Sequence, residues 1–290
     1  METLKVGSRG DSVKTLQSLL IDNGYNLQID GIFGENTEDT VMDFQKSNSM
    51  AVDGIVGPNT WTALLKNTSK DIPDEINNVS YVLTTKNYFP RIHKKTNIVL
   101  HHTAGWVVQK GTKDTPSMSH FNWWASQDRR VSTAFSIDYK GNIYQHFDPK
   151  YWAYHLGIGG SKKFLDYQSI GIEITNEGYM KKKSDEFVWL LAPEIKYNRP
   201  QDEPVYIENG WRGYKYFAPY SKEQIDSTVW LLNYLCEKFD IEKNFIDNCD
   251  YQSHIRDGKY KGIYNHANVR TDKWDLSPAF PFKEVQQKLK

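Results

Sequence analysis

The stretch NIVLHH, residues 97–102, holds three consecutive aliphatic side chains between polar neighbours. It is too short for a stable helix and has no helical period, so it reads as a buried β-strand that ends on two histidines. A second run of the same kind, SIGIEIT, covers 169–175. Between them, TAFSIDYKGNIYQHF (133–147) alternates around Lys140-Gly141, a hairpin signal. MSHFNWWASQ (118–127) has a helical pattern. SKEQIDSTVWLLNYLCEKF (221–239) is the strongest helix, with Ser221 and Gln224 forming a capping box ahead of apolar residues at three- and four-residue spacing. Strands interleaved with helices predict an α/β domain over 96–290, with a central mixed β-sheet flanked by helices. Residues 181–220, rich in Pro, Lys and Tyr, fit no clear element and read as an elaborated loop able to cover a site.

The N-terminal stretch is different. DGIFGENTEDTVMDFQ from Asp30 and DGIVGPNTWTALL from Asp53 are a degenerate repeat. Each opens on an Asp-Gly turn, passes through Asn-Thr, with Thr37 or Thr60 suited to a helix start, and continues at helical spacing. Ahead of both, DSVKTLQSLLIDNGY reads as a helix with Ser12 as a cap, an apolar stripe at Val13, Leu16, Leu19 and Leu20, and Gly24 beyond its end. Residues 1–66 therefore form a small three-helix module, all-α, and the polar residues 67–95 a linker leading into the larger domain.

Composition narrows the function classes. The 290 residues carry 36 basic and 36 acidic side chains, which argues against a protein that binds nucleic acid by neutralising phosphates. The charge is uneven: residues 1–65 hold four Lys/Arg against nine Asp/Glu, about −5, and the remainder 32 against 27, about +5. No run has the apolar length of a membrane span, and no N-terminal pattern of basic start, apolar core and small-residue cleavage site is present. The two cysteines, Cys236 and Cys249, read as free thiols.

Near the far end, NHANVRTDKWDLSPAF (265–280) gathers His266, Lys273 and Asp275 in a segment without regular periodicity. His101 and His102 end the first strand, where neighbouring side chains point to opposite faces, so at most one of them serves a given site. Two imidazoles and a carboxylate suit Zn²⁺ with a fourth position open. Amide hydrolysis would then need a general base, for which Glu173 inside an apolar strand is available, and a cation beside the oxyanion, for which Lys273 is available. Taken alone, a histidine is more often a satisfied structural residue and Asp275 could be a helix cap, whereas Glu173 is less easily read so, because burying a carboxylate without a partner is costly; the spacing by itself leaves a metal at no better than even odds.

Two resemblances sharpen this reading. Gly7, Gly10 and Val13, Leu16-Gln17, Gly24-Tyr25, Asp30–Gly34, Phe44-Gln45 and Asp53–Trp61 resemble the type 1 peptidoglycan-binding domain. LHHTAG, TAFSIDYKGNIYQ, AYHLG (153–157), Ser169–Glu173, Tyr220–Gln224 and NHANVRTDKWDLSPAF resemble, in order, the type 2 N-acetylmuramoyl-L-alanine amidases, whose fold is shared with a phage lysozyme branch, the anhydro-muropeptide amidases and the peptidoglycan recognition proteins. The resemblance implies one Zn²⁺ held by His101, His266 and Asp275, with Glu173 as base and Lys273 as oxyanion stabiliser. It places His155 near substrate, and Trp106, Trp123, Trp124 and Tyr154 are candidates to line a glycan and peptide groove. Thr133 stands where the phage branch has a catalytic tyrosine, and Leu276-Ser277 replaces Pro-Gly after Asp275.

The implied function is hydrolysis of the amide between the lactyl group of N-acetylmuramic acid and L-alanine of the stem peptide. Bacterial peptidoglycan is the expected partner, with neither nucleic acid nor membrane insertion. The layout resembles a phage endolysin or an autolysin, made in the cytoplasm without a signal peptide and acting on the cell wall. The alternatives are a non-catalytic peptidoglycan recognition protein and, less favoured by the wall-binding module, an intracellular regulator.

Overall fold

The computed structural model describes residues 2–68, 79–81, 87–103, 130–189, 192–196 and 203–290. The N-terminal helices are α1 (Asp11–Asp22), α2 (Glu35–Ser47) and α3 (Pro58–Thr68). Val13, Leu16, Leu20, Phe33, Val41, Phe44, Trp61 and Leu64 close over one core. The repeat has a physical basis. Gln17 Nε2 donates to Asp30 Oδ1 (2.7 Å) and to the Ile32 carbonyl (3.1 Å), while Gln17 Oε1 accepts the Gly31 N–H (2.8 Å). Gln45 repeats every contact with Asp53 (2.8 Å), Ile55 (2.9 Å) and Gly54 (3.0 Å). A buried glutamine amide thus satisfies each Asp-Gly turn, as burial of a polar group demands. The helix starts differ from expectation. Gly10 and Gly34 are the N-caps of α1 and α2, so Ser12 and Thr37 lie inside the first turn. Thr37 Oγ1 instead donates back to the Ile32 carbonyl (3.2 Å).

The larger half is built on a six-stranded mixed sheet, ordered β1-β4-β3-β5-β2-β11. Its strands are β1 (Val79–Tyr81), β2 (Asn97–His102), β3 (Phe135–Ile137), β4 (Ile143–Gln145), β5 (Ser169–Ile174) and β11 (Gly262–Asn265). β11, β2, β5 and β3 run parallel, and β4 returns antiparallel through the Lys140-Gly141 hairpin. Gly141 takes φ 79° there, and a Cβ would meet the Glu223 carbonyl at 2.6 Å, which explains why this turn requires glycine. Alternation sorts the two faces. Ile98, Leu100, Ile170, Ile172, Ile174 and Ile263 join the main core under the long helix, whereas Val99 and Tyr264 join a second cluster on the other face.

The helices of this half are α4 (Phe164–Gln168), α5 (Lys222–Phe239), α6 (Ser253–Arg256), α7 (His266–Val269) and α8 (Phe282–Lys288). The Ser221/Gln224 capping box on α5 is present in both directions. The loop expected over 181–220 is corrected by the structure: the described residues of that stretch carry a second, antiparallel sheet, β8-β7-β6-β10-β9. Its members are β6 (Tyr179–Lys183), β7 (Glu186–Trp189), β8 (Ala192–Lys196), β9 (Val205–Trp211) and β10 (Tyr214–Phe217). These strands escaped notice because much of the sheet faces water: Lys181, Lys182 and Lys183 are consecutive and exposed, so no buried alternation marks them. The helix expected over 118–127 lies outside the described residues. Cys236 and Cys249 are buried free thiols.

Candidate active site

The sheet register builds the site. β2 and β5 pair so that His101 sits opposite Glu173, and Glu173 sits opposite Ser136 on β3. β11 ends at Asn265, paired with Leu100, so the chain delivers His266 beside His101. These residues lie at the carboxyl ends of parallel strands, where open α/β sheets place their ligands. The loop after α7 returns Asp275 to the same point, and the Asp275 carbonyl accepts the Ala267 N–H at 2.8 Å, fastening that loop to α7.

Three donor atoms converge. His101 Nδ1 and His266 Nδ1 are 3.1 Å apart, and each is 3.0 Å from Asp275 Oδ2. Both imidazoles are buried, at 3% and 4% exposure. The tautomers follow from the outer partners. His266 Nε2 donates to the Leu156 carbonyl at 2.9 Å, which leaves Nδ1 bare in the neutral ring. For His101 the chain of reasoning starts at the Leu165 carbonyl. That carbonyl accepts the Ser169 hydroxyl (2.5 Å), Ser169 Oγ accepts His155 Nε2–H (2.9 Å), and His155 Nδ1 therefore accepts His101 Nε2–H (3.0 Å). Burial holds His101 neutral, with its pKa lowered to about 4, and pushes His155 well below its ordinary value, assisted by His101 and His266. Both Nδ1 lone pairs thus point at one spot. Burial opposes the Asp275 charge, and the pull that lowers its pKa, from a charged His266 and hydrogen bonds from His101 and His266, needs protons on the facing nitrogens; with both Nδ1 atoms bare, a cation in the triangle would take over that part.

Two bare imidazole nitrogens and one carboxylate oxygen in a triangle fit a divalent cation. A tetrahedral zinc with arms of about 2.0–2.1 Å separates its ligand atoms by roughly 3.3 Å, close to the triangle found here. Glu173 stands beside the triangle, a residue 9% exposed, and burial, reinforced by the Asp275 charge, raises its pKa well above normal. Lys273 is half-buried, and its charge works against that rise.

The remaining sequence-predicted residues sit elsewhere. The His155 side chain is only 4% exposed and lies behind His101. Gly171 makes room for it, since a Cβ there would come within 3.1 Å of His155 Cγ and 3.0 Å of Thr133 Cγ2. Tyr154 turns away into an aromatic group, edge-on to Phe89 and Trp152, each at 5.3 Å. Trp106, Trp123 and Trp124 lie outside the described residues. His102 points to the opposite face, where Nδ1 meets Tyr220 Oη at 2.8 Å.

Several contributors went unread in the sequence. Asp166 Oδ1 accepts the His155 and Leu156 N–H groups, both at 3.0 Å, and so orients the segment that supports both imidazoles. Trp274, between Lys273 and Asp275, packs on Tyr179 (5.0 Å), Tyr214 (5.3 Å) and Trp211 (6.0 Å), which ties the second sheet to the loop carrying those two residues. Only the high aromatic content hinted at this contact.

Residues 93–278 match the N-acetylmuramoyl-L-alanine amidase family. The chain belongs to that family. Residues 9–64 match a putative peptidoglycan-binding domain. Among curated relatives, this amidase-family chain is 41% identical over 69 residues to a spore cortex-lytic enzyme of Halalkalibacterium halodurans, covering 23% of this chain and 21% of that protein. It is 45% identical over 56 residues to N-acetylmuramoyl-L-alanine amidase CwlM of Mycobacterium tuberculosis, covering 19% and 14%. These matches span about a fifth or less of either relative's length. Among solved structures, it is similar to the N-acetylmuramoyl-L-alanine amidase LysC from Clostridium intestinale, at 16% identity over 72% of this chain and 97% of that one, with a TM-score of 0.39.

Proposed function

We propose that this chain is a zinc-dependent amidase that cleaves between the lactyl group of N-acetylmuramic acid and L-alanine in peptidoglycan, serving as an endolysin or autolysin. The observation that carries the reading is the triangle of His101 Nδ1, His266 Nδ1 and Asp275 Oδ2, with sides of 3.0–3.1 Å, beside the buried Glu173. These three residues would hold the ion. Bound there, Zn²⁺ would supply a Lewis acid and bring the pKa of a water ligand toward neutrality.

The chain's own groups supply the rest. Glu173 takes a proton from the attacking water and returns it to the leaving amine nitrogen of L-alanine. Its pKa, raised by burial, suits the second half of that task, because a carboxyl that holds its proton more tightly than usual can carry it to the leaving nitrogen. The Lys273 ammonium faces the charge that develops on the carbonyl oxygen. His155 and the Leu156 carbonyl act at one remove, holding the two imidazoles in the tautomer that offers Nδ1. In this reading residues 1–66 grip the wall and 96–290 form the catalytic domain, acting outside the membrane once released. The entry stretch 67–95 adds β1 and Tyr88 to that domain's sheet and core.

The test is metal analysis of the purified protein followed by mass mapping of digested cell walls. Stoichiometric zinc and new L-alanine N-termini on stem peptides detached from muramic acid are expected. Zinc-loaded protein that binds walls but frees no L-alanine terminus on any wall chemotype would replace this reading with a recognition protein.

A further inference from the structure

The apolar stripe of α1 leaves its other side to be explained. Asp11, Thr15, Ser18 and Asp22 recur at steps of four, three and four, so they form a second stripe along this helix. Every member meets the larger half. Asp11 Oδ2 pairs with Arg130 Nη2 at 2.5 Å, and Thr15 Oγ1 lies 2.5 Å from Tyr88 Oη. Tyr151 Oη donates to Ser18 Oγ, and Lys150 Nζ donates to Asp22 Oδ2.

The receiving surface is already organised. Tyr88 stacks on Phe147 at 5.0 Å and on Tyr151 at 5.6 Å, and both tyrosines belong to the core cluster of the larger half. Arg130 is steadied by the Tyr88 carbonyl (3.2 Å) and lies over the Phe89 ring (4.5 Å). Lys150 is steadied by Asp148 at 3.1 Å. Tyr88 and Tyr151 are only 3% and 5% exposed, and Ser18 5%, with α1 in place. The charges agree as well: the first 65 residues carry about −5 and the rest about +5, and both acidic residues of the stripe meet cations.

We propose that the polar stripe of α1 is an intramolecular docking surface whose partner is the Tyr88–Arg130–Lys150–Tyr151 patch. The two halves then move as one body, and the wall-binding module presents its remaining faces at a fixed place relative to the hydrolytic site. Linker length would not set the effective concentration of wall at the site, as it does for freely tethered modules.

The test uses the full chain and no hydrolysis, so it stands or falls separately from the catalytic reading. Small-angle scattering of the wild type should give a radius of gyration near the value for one compact body of this length, about 19 Å. Asp11→Lys with Asp22→Lys should enlarge it and split thermal unfolding into two transitions. Adding Arg130→Glu and Lys150→Glu should restore both readouts. Asp11 and Asp22 lie away from the module's apolar core, with 37% and 29% of their side-chain surface exposed, so the module itself should survive these changes. Backbone ¹⁵N relaxation of the wild type gives a measurement free of variants: one tumbling time supports docking. Two tumbling times, or a scattering radius that the charge reversals leave unchanged, would overturn it.

Discussion

Replacing His155 with alanine should weaken zinc binding more directly than it harms any contact with substrate. Among the described residues, His155 Nδ1 is the acceptor that faces His101 Nε2, at 3.0 Å, and its own Nε2 is held by Ser169 at 2.9 Å. Without that acceptor, a proton can sit on either His101 nitrogen, and one of the two forms blocks the atom that faces the triangle. The buried Nε2–H also loses its partner. Loss of such an outer hydrogen bond typically lowers metal affinity by about 10–100-fold, or about 1.4–2.7 kcal/mol. Competition against a chromophoric chelator at neutral pH measures this directly. His155→Gln should recover much of the affinity, since its amide oxygen can accept from His101 and its NH₂ can donate to Ser169. Gly171→Ala should mimic the loss, because its methyl would press on His155 Cγ from 3.1 Å. A His155→Ala protein that holds zinc as tightly as the wild type, yet hydrolyses walls poorly, would refute the argument and return His155 to the substrate.

Two further outcomes follow from buried carboxyls. Glu173→Gln should lower turnover by about 10²–10⁴ while keeping zinc. Because burial raises the Glu173 pKa, its stability contribution is present below the ordinary 4.5 and is lost as pH climbs, so the glutamine variant should melt higher than wild type in metal-free protein at neutral pH, with the advantage vanishing in acid; calorimetry across pH checks both. Asp166, raised by burial to about 6 from 3.8 against the pull of two N–H groups, also favours its protonated form in the fold, so wild-type stability should fall by up to about 3 kcal/mol as pH rises through 6. Asp166→Asn should flatten that slope in urea titrations, and an unchanged slope would contradict it.

The parts of the fold that were legible in the sequence are those whose pattern is local. The α5 capping box joins residues three apart, and the aliphatic runs of β2 and β5 are buried on both faces, so composition alone marks them. The hairpin at Gly141 announced itself because the turn needs a residue at φ 79°. The second sheet was illegible for the opposite reason. Its strands are short, edge-on to water and rich in Lys and Tyr, and they are held by pairing between distant segments such as Tyr216 with Met180. No window of neighbouring residues contains that information.

The site divides along the same line, but more sharply. Residue types and strand position alone nominated His101 or His102, and left a metal and a structural role equally open; only the family pattern chose His101. The register supplies the missing reason. Residues of one parity on β2 share a face with Glu173 and Tyr264, and those of the other parity share the main core, so His102 is committed to Tyr220 by the same alternation that commits His101 to the triangle. The part played by His155 could not be seen this way at all. It depends on Ser169, Gly171 and the Leu165 carbonyl, and hence on β5 pairing beside β2 with α4 leading into it. A motif match assigns a histidine to a neighbourhood; which side of the ligand it occupies is settled only when the sheet is assembled.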